Sequence, residues 1–226
     1  MSVQQTIEKS LEILLKQKIK ILGAGRTDTG VHAKQMYAHF DFEEPIDLEN
    51  LIYKLNAFLN KDIGIANIHK VRHDSHARFD AISREYEYYI TQIKDVYNHD
   101  KKYFFSKKLD FDKIDKAIDI LKNTKNFKSF CRTKSDVTNY NCEIFDFNYE
   151  IKESEIIFRI RANRFLRNMV RSLIGTILDV SLKKISIKNL TEIIEKSNRI
   201  YAGPSVPAHA LFLSNVEYPK NVFLDE

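Results

Sequence analysis

The sequence predicts a mixed α/β fold built on a largely antiparallel sheet flanked by helices. Three observations carry that expectation. Segments of strand and helix periodicity are interspersed along the 226 residues. Several of the strand segments alternate apolar and polar residues, the mark of a sheet buried on one face. No glycine-rich dinucleotide loop of the kind that opens parallel α/β folds is present. Composition agrees, with 43% hydrophobic and 30% charged residues, as in a globular protein. No apolar run reaches the roughly 20 residues needed to span a bilayer, and no signal-peptide pattern opens the chain. Cys131 and Cys142 form no CxxC pair, so neither a disulfide framework nor a zinc site is indicated, and a reduced, cytoplasmic protein is expected. The 36 basic and 31 acidic residues leave a net charge of +5, which permits a phosphate-rich partner without demanding one.

The elements follow in order. Residues 2–18 read as a helix, with Ser2 and Gln5 at capping-box spacing and Val3, Ile7, Leu11, Leu14 and Leu15 on one stripe. Ile19, Ile21 and Leu22, then Met36, Ala38, Phe40 and Phe42, read as strands on either side of a loop. Pro45 marks a break, and Asp47 caps a second helix whose inner face holds Leu48, Leu51, Ile52, Leu55 and Leu59. His73 to Asp80 is irregular. From Ser83 the period becomes two, with Tyr86, Tyr88 and Ile90 on one face and Glu85, Glu87 and Tyr89 on the other. Lys94 to Lys108 is polar, basic and poorly periodic, and reads as a crossover between an N-terminal half (1–93) and a C-terminal half (94–226). Ile114, Ala117, Ile118 and Leu121 mark a helix, and strands at about 143–151 and 154–162 form a hairpin. A long helix from about Arg164 to Leu182 and a shorter one from Ile187 to about Lys196 follow. Gly203-Pro204-Ser205-Val206-Pro207 leads into a last strand, Ala210 to Glu217.

Four stretches hold residues suited to chemistry. The first is Gly23-Ala24-Gly25-Arg26-Thr27-Asp28-Thr29-Gly30-Val31-His32-Ala33, with three glycines in eight positions and a carboxylate two residues from a guanidinium. Asp28 there reads as a nucleophile or general base, or as the cap of an ordinary turn beside a solvated Arg26. The second is His76-Ala77-Arg78-Phe79 with Ser83-Arg84-Glu85-Tyr86; Tyr86 reads as a stacking surface or as a half-buried sheet residue. The third is Asn163-Arg164-Phe165-Leu166-Arg167-Asn168-Met169-Val170-Arg171, in which Arg164, Arg167 and Arg171 share a helical stripe. Such a stripe binds phosphates, pairs with a carboxylate, or is simply solvated. The fourth runs from Gly203 to Leu213 and on to Asn215-Val216-Glu217-Tyr218-Pro219; Leu211 reads as core or pocket wall.

Together these strings resemble the tRNA pseudouridine synthases of the TruA type, over about residues 3–219. The first resembles that family's GRTDxGVHA loop, the third its NxFLxxMVRxxxG element, the fourth its AxxLFLxxVxYP segment. The resemblance implies a pseudouridine synthase fold of two related halves, a homodimer, and no metal or organic cofactor. It implies a tRNA substrate whose target uridine in the anticodon stem-loop is flipped out of its stack. Asp28 would be the catalytic carboxylate and Arg171 its partner. Arg26 would take the vacated position or touch phosphate, Tyr86 would stack on the base, and Leu211 would line the pocket. Arg78, Arg164 and Arg167 would bind the RNA. The chain begins where the family's first helix begins and contains no tryptophan, whereas members normally start with a further YxGxxxxGWQxQ-like segment. A start at an internal methionine is therefore expected. A non-catalytic tRNA-binding protein is the alternative, and a hydrolase using Asp28 with His32 or His76 ranks behind, for want of a nucleophile elbow or metal set.

Overall fold

A computed structural model describes residues 2–133 and 137–224. Met1, on which the reading of the chain's start rests, lies outside the described residues. The chain divides into two compact units, one of Met1–Arg26, Met36–Ala81 and Tyr218–Glu226, the other of Thr27–Gln35 and Ile82–Glu217.

In the first, smaller unit, helix α1 (Val3–Leu15) opens with the capping box: Gln5 N–H donates to Ser2 Oγ at 3.2 Å and Ser2 N–H to Gln5 Oε1 at 2.9 Å. The helix ends three residues short of the sequence expectation because Lys16 turns left-handed at φ 56°, which releases Ile19 and Ile21 into the core. Strands β1 (Leu22–Gly23) and β3 (Ala38–His39) are a two-residue antiparallel ladder, shorter than the apolar patterns suggested. Helix α2 (Leu48–Phe58) is capped by Asp47, whose side chain accepts from Asn50 N–H. Leu11, Ile19, Ile21, Leu51, Leu55 and Leu59 form the buried cluster.

The second unit holds the sheet. Its strands are β2 (His32–Ala33), β4 (Ser83–Thr91), β5 (Tyr103–Phe104), β6 (Ile144–Lys152), β7 (Glu155–Ala162) and β8 (Leu211–Glu217). The order is β2-β8-β4-β7-β6, and β5 pairs with β4 beyond the end of β8. The three long pairings are antiparallel; only the short β2 and β5 run parallel to their neighbours. The mixed, largely antiparallel fold expected from the sequence is what forms. Tyr88 and Ile90 of β4 and Ile156, Phe158 and Ile160 of β7 share a core with helices α3 (Phe111–Lys122), α4 (Met169–Ser181) and α5 (Ile187–Lys196). Burying each such side chain contributes about 1.5–3 kcal/mol. The segment 94–108, expected as a crossover, supplies β5 and lies within this unit.

One expectation fails in an instructive way. The long helix begins at Met169, not Arg164, because Asn168 adopts φ 66° and residues 163–167 bond elsewhere. Arg167 O accepts from Arg132 N–H at 3.0 Å, and Asn163 N–H donates to Glu143 O at 3.1 Å. Arg164 and Arg167 therefore precede the helix, and no three-arginine stripe exists on it. Nearly all of α4 is buried, as its apolar content all round its circumference requires.

Candidate active site

The segment Thr27–Gln35 is fastened along β8. His32 and Ala33 pair with Phe212 and Leu213, and Lys34 N–H donates to Leu213 O at 2.8 Å. Val216 N–H donates to Gln35 Oε1 at 2.8 Å, and the His32 ring stacks on Phe212 with centroids 4.6 Å apart. At the near end, Val31 N–H donates to Asp28 O at 3.1 Å, closing a turn that Gly30 completes at φ 83°. A left-handed residue there favours glycine. The turn fixes Asp28 at the head of the segment.

Arg171, in the first turn of α4, meets it. Its Nη1 donates to Asp28 Oδ2 at 3.0 Å, and its Nε donates to the Val206 carbonyl at 2.8 Å. The Asp28 and Arg171 side chains are 18% and 21% exposed, so the charge-assisted bond is shielded from most solvent screening. Arg167 approaches the other carboxylate oxygen, its Nε 3.9 Å from Oδ1, but its side chain is 56% exposed and the contact is correspondingly weak.

The Val206 carbonyl belongs to the loop 203–207, which lies directly on α4. Gly203 N–H donates to Thr176 Oγ1 at 2.9 Å, and Val206 N–H to Arg171 O at 3.2 Å. Only glycine permits this approach: a Cβ at Gly175 would stand 1.7 Å from Pro204 O.

Tyr86 lies nearby on β4. Between Glu85 and Tyr86 the pairing with β8 shifts, and the extra residue, Ser214, donates its hydroxyl to Glu85 Oε1 at 2.9 Å. The Tyr86 ring meets Phe165 edge-on at 5.1 Å and 90°. Loss of solvation pushes the Tyr86 hydroxyl up to about 12, Arg84 opposing and the nearby negative charge of Asp28 adding to the rise. Tyr88, one period on, donates its hydroxyl to Pro207 O at 3.0 Å. Leu211 is buried in the core opposite Tyr88 in the ladder. A carboxylate held by a guanidinium, with a phenol ring within electrostatic reach, can act on an uncharged flat ring laid against that phenol.

A sequence model of the family described as tRNA pseudouridine synthase matches residues 117–219. The chain is 47% identical to the tRNA pseudouridine synthase A of Parabacteroides distasonis, covering 99% of this chain and 89% of that one. It is 43% identical to the protein of the same name from Bacteroides fragilis (98% and 89% covered) and 37% identical to tRNA pseudouridine synthase A 1 of Bacillus cereus (96% and 89%). The chain belongs to the tRNA pseudouridine synthase A family.

Within this synthase family member, the second unit brings together Asp28, Arg171, Arg167 and Tyr86. Arg164 is half-buried before α4, close enough to Cys142 to oppose the rise that burial imposes on that thiol, which stands at about 11. Arg26 and Arg78 belong to the smaller unit. Arg26 is exposed; Arg78 is exposed too, its guanidinium 5.7 Å from the Phe79 ring centre and its N–H donating to His76 Nδ1 at 3.1 Å. Among the described residues no group of three His, Cys, Asp or Glu could hold a metal ion. No helix among them is long and apolar enough to cross a membrane.

Sequence reading missed two sets of residues in the synthase. Lys34 Nζ contacts both Glu87 and Tyr89, and Arg159 bridges Glu87 Oε1 and Glu150 Oε2 at 3.0 Å each, on the sheet face away from the core. Burial alone would raise the Glu87 carboxyl, but hydrogen bonds from Lys34, Tyr89 and Arg159 hold it down at about 2. The period-two placement of Glu87 and Tyr89 on one strand face was the available signal. The other set, Asn168, Arg199 and Ser205, left none, because its members meet only through the loop 203–207.

Proposed function

We propose that this chain isomerises uridine to pseudouridine in the anticodon stem-loop of tRNA, with Asp28 as the catalytic carboxylate. The observation that carries the reading is the shielded Asp28–Arg171 pair beside the Tyr86 ring, in a chain of this family. In the proposed reaction the flipped base stacks on Tyr86. Asp28 supplies the basic or nucleophilic oxygen, and Arg171 keeps Oδ2 occupied so that the carboxylate presents a defined edge. The N1–C1′ bond breaks, the base turns, and C5 joins C1′. C5 then loses its proton and N1 gains one, so the product is an isomer and neither metal nor organic cofactor is consumed. Leu211 closes the pocket wall, and Arg26, Arg78, Arg164 and Arg167 supply positive charge to the RNA backbone. In this reading the acting form is a cytoplasmic homodimer, as the family resemblance implies.

The test is to incubate the protein with an unmodified tRNA transcript and map pseudouridine by carbodiimide labelling and primer extension. New stops in the anticodon stem-loop are expected, and their absence overturns the activity. Asp28→Asn, nearly isosteric but uncharged, is expected to form no product while keeping its circular-dichroism spectrum and its tRNA binding. Turnover by that variant would remove Asp28 from its role.

A further inference from the structure

We infer that Arg199 is a positioning residue for this site, acting on Asp28 through the loop 203–207 and the Arg171 guanidinium. The inference rests on the functional reading above for its consequence in turnover, though not for its geometry. Two acceptors set the direction of the Arg171 fork, Asp28 Oδ2 and the Val206 carbonyl. That carbonyl lies in a loop outside any strand or helix, so its place depends on what holds the loop. On the α4 side the holders are Gly203 N–H to Thr176 Oγ1 and Val206 N–H to Arg171 O. Two further holders converge on Ser205, one from the start of α4 and one from Arg199. The Ser205 hydroxyl oxygen accepts from Asn168 Nδ2 at 2.6 Å and from Arg199 Nη2 at 3.0 Å, while Arg199 Nη1 donates to Ala202 O at 3.2 Å.

Arg199 follows α5, in the single 3-10 turn Arg199–Tyr201, and is half-buried. Among the described residues no carboxylate comes within 4 Å of it, although ion pairs are abundant elsewhere. A half-buried guanidinium without a counter-charge loses solvation, and that loss is offset only by the hydrogen bonds it makes. Here one bond goes to Ser205 in the loop and the other to Ala202, the residue immediately before it. Its planar fork spans the Ala202 carbonyl and the Ser205 hydroxyl at once, which a lysine ammonium cannot reproduce with the same geometry. Asn168 completes the arrangement from the start of α4, where its left-handed backbone aims the amide at Ser205 rather than at the helix's own N–H groups. The loop is thus clamped between α4 and Arg199, and the clamp sets where the Val206 carbonyl presents itself to Arg171.

Arg199→Met, Arg199→Lys and Ser205→Ala test this, each alone, with Arg199→Met repeated in an Arg171→Met background. The measurement independent of activity is hydrogen exchange at the Arg171 Nε–H, followed by ¹⁵N-resolved spectra of the folded protein. Arg199→Met is expected to speed that exchange about tenfold or more, Ser205→Ala to speed it less, and Arg199→Lys to recover part of the protection. In turnover, Arg199→Met is expected to lower kcat about tenfold with KM and tRNA affinity within about twofold. In the Arg171→Met background the same substitution is expected to cost less than about twofold, since residues acting through one another are not additive. Unchanged Nε–H exchange in folded Arg199→Met and Ser205→Ala would overturn the inference. So would a loss of tRNA affinity with kcat intact, which would make Arg199 a direct RNA contact, or full additivity with Arg171→Met. If the wild type forms no pseudouridine, the functional reading fails, while the exchange measurement still decides the clamp.

Discussion

Asp28 and Arg171 are 143 positions apart, and neither has the other's help until the chain has folded. What unites them is backbone: a turn at Gly30 presents the carboxylate, and a carbonyl at Val206 aims the guanidinium. Tyr86 works differently, through its ring. Because its hydroxyl sits at about 12, with loss of solvation the chief cause, it stays neutral through any ordinary assay range. Tyr86→Phe is therefore expected to preserve tRNA binding and show the same alkaline pH profile as wild type up to about pH 10. Tyr86→Ala removes a stacking surface valued at about 1–3 kcal/mol and is expected to weaken substrate binding roughly 5- to 150-fold. Equal defects in both variants, measured as KM for a tRNA transcript, would show that the hydroxyl and not the ring matters.

At the scale of elements, the site depends on how closely α4 and the loop 203–207 approach. Gly175→Ala would place a methyl group inside the Pro204 carbonyl, so the loop must lift. We expect a loss of about 2–4 kcal/mol in unfolding free energy, read by urea titration, with turnover falling further than stability explains. Unaltered stability in that variant would mean the loop has slack. Elements with local signals were legible in the sequence: the capping box of α1, the Asp47 cap of α2, the two-period of β4, and the hairpin at Glu153, which turns left-handed at φ 53°. The first turn of the long helix was not, because apolar spacing continues through Phe165 and Leu166 while tertiary hydrogen bonds and Asn168 hold that stretch out of helix. The two-residue β5 has too little pattern to read. For the site, Asp28 and Arg171 were reached by resemblance to a family, since nothing in their spacing joins them. Arg199 was unreadable even so, its partners being a loop hydroxyl and a carbonyl.

Over the whole molecule, charge acts in two ways. The net +5 is modest, yet tRNA binding is expected to weaken about tenfold or more between 50 and 200 mM salt if arginines meet phosphates, and a flat salt profile would argue against an RNA partner. Within the larger unit, the Lys34–Glu87–Arg159 network ties the segment after β2 to β4 and β7. A carboxyl depressed to about 2 when folded contributes its stability fully above about 4.5, and that contribution is withdrawn as pH falls toward 2. At full strength that depression corresponds to about 3 kcal/mol, which solvent screening of the partly exposed network reduces to on the order of 2 kcal/mol. Glu87→Gln is expected to flatten the acid limb of the stability curve between those values, and an unchanged limb would show the network to be worth little. The short β2 is held by β8, a strand far from it in the chain. Residues 27–35 are made about 180 residues before the strand that holds them. At about 5–20 residues per second the carboxylate loop waits roughly ten to forty seconds for its partner. Throughout that interval a nascent chain carries the loop with no strand to hold it.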